Sequence, residues 1–235
     1  MTGVQTCALP IYVGTSEEDV WIVGGNYVWP TSAMQMEVVS SSVEDDPVKA
    51  DTNVGTGVHS VIIYDLNGSG VSATETVSLN GTAAVATTAT NIYRVQGFRA
   101  VTTGTGLAAA GNIDLRNIAD TPIYSRIATG YTRARNITYT VPTGYNLYVT
   151  SSTIGVYGAT KGIRVTARST WDSDAAAQRD FFIANSEYVM GNGIIYRPFE
   201  VPTRLPAGTR LKTSVIADAA GAVVSVAHRG WLETA

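Results

Sequence analysis

Side-chain polarity alternates with a period of two along most of this chain, and that pattern limits the fold more than any other feature. From residue 35 onward such segments recur at short spacing. "VSATETVSL" puts Val71, Ala73, Val77 and Leu79 on one face and Ser72, Thr74, Thr76 and Ser78 on the other. "KGIRVTARST" sets Ile163, Val165 and Ala167 against Arg164, Thr166 and Arg168, and "RLKTSVIAD" aligns Leu211, Val215 and Ala217. Successive side chains of a strand point to opposite faces, so these segments read as strands with one dry and one wet face. Apolar spacings of three and four do not persist beyond about ten residues, so long amphipathic helices are not expected. "DSDAAAQRDF" (172–181) is the best candidate for one or two helical turns, capped by Asp172 or Asp174.

The connections carry turn chemistry. Asn67-Gly68, Asn80-Gly81 and Asn192-Gly193 each lie between strand-like runs. Asn-Gly tolerates the positive φ that a type I′ hairpin needs, so the three pairs predict antiparallel hairpins. "VPTGYNLYVT" and "LPAGTRLKTSV" each pair a Pro-containing turn with a following strand. In "YNLYVTSSTIGVYG" the apolar phase is odd at Tyr145, Leu147 and Val149 and even at Ile154 and Val156. A one-residue slip turns every side chain over, so a bulge or bend is predicted near Ser151–Thr153.

Roughly a dozen strands exceed one sandwich of usual size. The expected fold is all-β: two tandem antiparallel β-sandwich (jelly-roll-like) domains with an extended N-terminal arm. The polar, basic stretch "ATGYTRARN" (128–136) reads as the link between them. The arm is placed at 12–34, the first domain at 35–129 and the second at 130–235. No sequence repeat relates the halves. Within the arm, Trp21 and Trp29 read as aromatic anchors that pack on a neighbour or on the same chain.

The first eleven residues, "MTGVQTCALPI", have neither the positive start nor the apolar run of a secretory signal. They resemble the in-frame translation of a common short-read sequencing adapter. That resemblance implies a sequencing artefact at 1–11, a source in an assembled environmental fragment (a metagenome), a missing natural start and a Cys7 foreign to the protein. It also implies that these residues stay unpacked. As the only cysteine, Cys7 cannot close an intrachain disulfide.

Formal net charge is −3, so no broad cationic field invites nucleic acid or an anionic membrane surface. No apolar run reaches the roughly 18 residues of a membrane helix. His59 and His228 sit inside strand patterns and read as hydrogen-bonded strand residues. No motif marks a cofactor, a metal or a nucleophile system, so no catalytic, cofactor or metal residue is assigned. "GTGLAAAG" (104–111) lacks the third glycine of a dinucleotide fingerprint and reads as a flexible loop. The acidic groups Glu17-Glu18-Asp19, Asp45-Asp46 and Asp172/Asp174 read as turn and capping carboxylates, with calcium at the last pair as the alternative. Tyr145, Tyr148 and Trp171 are the candidates for stacking on a sugar ring.

"EDVWIVGGNYVWP" with "MEVVSSSVEDD", "GTGVHSVIIYDLNGSGVSATETVSLNGTAAV", "YTVPTGYNLYVTS" and "FEVPTRLPAGTRLKTSVIADAAGAVVSVAHRGWLE" resemble blocks of a group of phage virion structural proteins. The resemblance spans most of residues 17–233. It implies a non-enzymatic particle component located in the virion, such as a head decoration, head fibre or tail-associated protein. Its partners would be other virion proteins and itself, as a homo-oligomer. The alternative is a tail-fibre module that binds a receptor or a host-surface glycan.

Overall fold

The computed structural model describes residues 2–7, 11–49, 53–158, 162–170 and 182–235, with side chains at all of these except 2–7 and 182–185. The described residues contain no helix and form seventeen strands. The expected helical turn at 172–181, together with Trp171 and Asp172/Asp174, lies outside them.

The first strands are β1 (Thr2–Cys7), β2 (Ile11–Val13) and β3 (Glu18–Asp19). Next come β4 (Met36–Ser40), β5 (Val58–Asn67), β6 (Ser72–Ser78), β7 (Val85–Ala86), β8 (Ile92–Thr103), β9 (Ile113–Asn117) and β10 (Ile123–Ile127). The rest are β11 (Tyr139–Thr140), β12 (Tyr145–Tyr157), β13 (Gly162–Thr170), β14 (Phe182–Met190), β15 (Gly193–Leu205), β16 (Arg210–Ala217) and β17 (Ala222–Thr234). Every pairing between them is antiparallel.

The chain divides into two compact units. One is Val28–Arg135; the other joins the residues up to Tyr27 with Asn136–Ala235. In the discontinuous unit, one sheet has the order β1-β17-β12-β15, and β2 continues along the same edge of β17 as β1. The second sheet has the order β11-β16-β13-β14, with β3 also on β16. Taking β2, β3 and β12 to β17 as strands one to eight, the sheets read one-eight-three-six and two-seven-four-five. That is the strand order of a jelly roll.

The contiguous unit repeats the scheme. Its sheets are β10-β9-β4-β7 and β6-β5-β8. In both units the first strand of a six-strand run pairs with the sixth and the fourth, and the second with the fifth and the third. The duplication is of architecture alone, since no sequence repeat accompanies it.

Ile11, expected as the end of the artefact, and residues 12–27, expected as part of an arm, instead supply the first two strands of the discontinuous jelly roll. Thr2–Cys7 pairs along β17 from Leu232 to Ala227, and Ile11 and Val13 enter the core with Ile154, Val156, Val224 and Val226. The expectation of an unpacked N-terminus is corrected on these points; Leu9 lies outside the described residues. Ladder bonds use backbone groups common to all residues, so an open edge of β17 recruits whatever chain lies beside it.

The turns differ from expectation in an instructive way. Asn67 does close a hairpin between β5 and β6, but Gly70 rather than Gly68 takes the positive φ, at 74°. The Asn67 carboxamide oxygen accepts from the Ser69 and Val71 N–H groups, while Gly70 N–H donates to Asn67 O. This is a wider turn built around an Asn side chain, not a type I′ turn. Asn80-Gly81 and Asn192-Gly193 do not join neighbouring strands of one sheet; Asn80 makes only a single antiparallel bridge to Ala83 across a tight turn. Each lies between strands of different sheets, β6 to β7 and β14 to β15.

In the contiguous unit, one buried carboxylate organises the loops. Asp45 Oδ1 accepts from the Val58 and Ala110 N–H groups, and Oδ2 accepts from Gly111 N–H and the Ser40 hydroxyl. The 104–111 segment, expected as a flexible loop, is bound here: Gly104 and Gly106 N–H groups donate to Gly57 O and Thr56 O. A Cβ on Gly57 would collide with Asp45 Oδ1 and Ala110 Cβ, so close approach demands glycine there. Removing the Asp45 carboxylate would strand three buried donors. Asp45→Ala is expected to destabilise this unit by about 3 kcal/mol or more in urea unfolding, whereas Thr105→Ala, on an exposed turn, stays within about 0.5 kcal/mol.

Candidate functional site

The phase slip anticipated in β12 is real. Its register with both β15 and β17 shifts between Val149 and Ser151, so the bulge sits at Thr150, next to the predicted position. The strand stays within one sheet. On β15 the same interval spans more residues: Val149 faces Thr203 and Ser151 faces Pro198. Residues 199–202 therefore arch away from β12, with Pro198 and Pro202 at either end of the arch and no N–H to offer the ladder.

Under this arch lies a cavity of about 610 Å³ within the jelly roll. Leu147, Leu205, Leu211 and Phe199 supply apolar wall, and Ser169 and His228 supply polar atoms. Glu187 and Arg197 form an ion pair of 2.5 Å beside it. His228 is the most constrained group there. Its Nδ1 lies 2.7 Å from Ser152 Oγ and its Nε2 lies 2.9 Å from Thr213 Oγ1. Ser152 and His228 belong to one sheet and Thr213 to the other, so the imidazole bridges the sandwich.

Sequence reasoning found no serine–histidine pair, and only the fold brings Ser152 to His228. Burial pulls the imidazole down to about 4. A base for a serine nucleophile must take its proton near the working pH, and usually leans on a carboxylate. Here the second ring nitrogen meets a hydroxyl instead. The arrangement suits a neutral hydrogen-bonded tie. His59 is likewise tied, with Nε2 at 2.8 Å from Gly55 O.

The acidic residues flagged in the sequence are engaged separately. Asp19 is fully buried; it accepts from Tyr27 N–H and the Ser214 hydroxyl and pairs with Lys212 at 3.0 Å. Glu17 pairs with Arg168, and outside the flagged groups Glu44 pairs with Lys49 and Asp114 with Arg126. Asp46 accepts from Val48 N–H, two residues on. Among the described residues, no group of three or more His, Cys, Asp or Glu side chains could hold a metal ion.

The aromatic candidates are scattered. Trp21 is buried in its own unit, donates to Gly25 O and packs edge-on against Tyr27. Trp29 lies under the Arg94 guanidinium at 5.6 Å. Tyr148 stacks on Trp231, with centroids 5.4 Å apart and planes 13° apart, on the outward side of the β12–β17 pair. Tyr145 is exposed at the start of β12. Trp231 was missed in the sequence because its cross-strand position depends on the β12–β17 register. Among the described residues of the discontinuous unit no ring contact joins Trp21 to Tyr145 or Tyr148, Trp29 belongs to the other unit, and Trp171 lies outside the described residues.

No family model matches the chain, and no curated protein matches it. Among solved structures, it is similar to infectious bursal disease virus of the Gx strain, at 13% identity over 97% of this chain and 72% of that one, with a TM-score of 0.25. It is similar to a T13 particle of the same virus at 11% identity, over 100% and 78% of the chains, with a TM-score of 0.22. The VP2 subviral particle of that virus follows at 13% identity, 97% and 71% coverage and a TM-score of 0.20. These are viral particle structures. Likeness this distant fixes neither fold nor role, and the strand order given above rests on the registers of this chain alone.

The His228 tie has a consequence for stability. An unfolded chain protonates this residue below its ordinary value of 6.5, and the folded chain refuses the proton down to about 4. Stability is thus full above pH 6.5 and falls as pH drops through that window, by at most about 3 kcal/mol. His228→Asn is expected to weaken the fold at pH 7 and to flatten this slope in urea titrations; equal slopes in both proteins would refute the assignment.

Proposed function

We propose that this chain is a non-enzymatic virion structural protein of a bacteriophage, a capsid decoration, head-fibre or other particle-surface component that acts by assembly. The observation that carries this reading is the pair of jelly-roll units, in each of which prominent buried polar groups hold the chain together. His228 ties two sheets, and Asp19 and Asp45 satisfy backbone N–H groups. Jelly rolls serve as capsid and lectin modules, and a fold hosts many functions, so the weight falls on the sites. The resemblance of the "GTGVHSVIIYDLNGSG" and "FEVPTRLPAGTRLKTSV" blocks to phage virion proteins points the same way.

A second reading has its own observation. The Tyr148–Trp231 stack, with Tyr145 exposed nearby in sequence, offers ring faces of the kind that sugars pack against. In this reading the chain is the receptor- or glycan-binding module of a tail fibre. Particles of the virus that carries the gene decide between the two. In the first reading, gradient-purified particles contain the chain in constant ratio to their main shell protein, and glycan arrays stay blank. In the second, the arrays light up, and Trp231→Ala removes the signal without loss of fold by circular dichroism. A chain present in infected cells yet absent from particles defeats both.

A further inference from the structure

The two sheets of the discontinuous jelly roll turn different faces outward. Side chains that point out of the β16-β13-β14 sheet include Arg164, Arg168 and Lys212, joined by Glu17. That is the usual wet face of an antiparallel sheet. On the other sheet, Ile11, Val13, Ile154, Val156, Val224, Val226 and Ile195 point inward. The register then dictates what points outward. Tyr12 lies beside Val223, which faces Tyr157; Ser225 and Gly155 lead across to Ile194, and Ala227 and Thr153 to Tyr196. None of these nine positions, spread over four strands, carries a charge.

The large side chains in this patch are open to solvent. Tyr12 is 79% exposed, Tyr157 74%, Ile194 78% and Tyr196 60%. With a large side chain presenting about 200 Å², the patch leaves about 600 Å² uncovered, at the upper end of what a lone soluble domain shows. Two copies pressed together would bury about 1,200 Å², the lower bound of a specific stable interface.

We propose that this face is the contact between two copies of the chain. Charge favours a second copy over another occupant. A two-fold contact sets each patch against itself, and any charge near the axis would meet its like. An axis near Gly155, where the smallest residue lies between Tyr157, Ile194 and Tyr196, sets apolar against apolar. The nearest outward charge, Arg229, lies on the far side of Ala227 from Val223 and so falls at the rim. The inference deepens the assembly reading above and rests on it, since it gives that assembly a surface.

Sedimentation equilibrium of the full chain from micromolar to submillimolar concentration tests it. A dimer is expected. Ile194→Arg and, separately, Tyr157→Ser should each weaken the dimer by at least about 30-fold, the loss of one strong interface anchor. Both positions are solvent-exposed, so melting temperatures at low concentration should stay unchanged. Arg164→Glu, on the opposite sheet, should leave the association constant as it is. A wild-type chain that remains monomeric throughout, or a dimer indifferent to both substitutions, overturns the proposal. Either result leaves the presence of the chain in particles to be read separately, so the surface can fail while the virion reading stands. A monomer that binds arrayed glycans through Tyr196 would reassign the face to sugar.

Discussion

The discontinuous unit is organised around β12. This strand pairs with β17 on one side and β15 on the other over most of its length. The register with both neighbours shifts at one point, Thr150, and the extra residue turns over the side chains of β12 itself while β15 and β17 keep their phase. On the N-terminal side of the bulge, Leu147 and Val149 point inward; beyond it, Ile154 and Val156 do. The arch of 199–202 and the cavity beneath it follow from the same dislocation. A sheet can absorb an inserted residue only by bending away from its partner or by losing ladder bonds.

Much of this was legible in the sequence. Alternation predicted strands at 71–79, 161–170 and 210–218, and the slip from Val149 to Ile154 marked the bulge to within one or two residues. The agreement has limits set by geometry. On β6, Val77 and Leu79 are buried, yet Val71 and Ala73 on the same face are exposed, because that end of the strand reaches past the core. Alternation states which residues share a face but not whether anything covers it.

What escaped notice was long-range. Ser152 meets His228 across 76 positions, and Asp45 meets Gly111 across 66. Neither spacing forms a local pattern. Asn-Gly pairs misled for a related reason: a turn residue reports that the chain reverses, not whether the next strand joins the same sheet. The outward apolar face did leave a trace. In "GIIYRPF" both phases are apolar, which a half-buried strand has no need of. The buried hubs Asp19 and Asp45 also fit one physical rule. A carboxylate away from water is retained where several N–H or O–H donors converge on it.

The insertion of a whole unit between β3 and β12 separates strands that must meet. Ile11 pairs with Val224, so an early strand waits for more than two hundred residues before its partner leaves the ribosome. The intervening unit is contiguous and closes its own sheets from local chain. Synthesis therefore completes every strand of one module while the other still lacks the partner of an apolar segment. Large loop closures are slow and leave such segments exposed to wrong neighbours. The discontinuous jelly roll can therefore close only after β17 has been made.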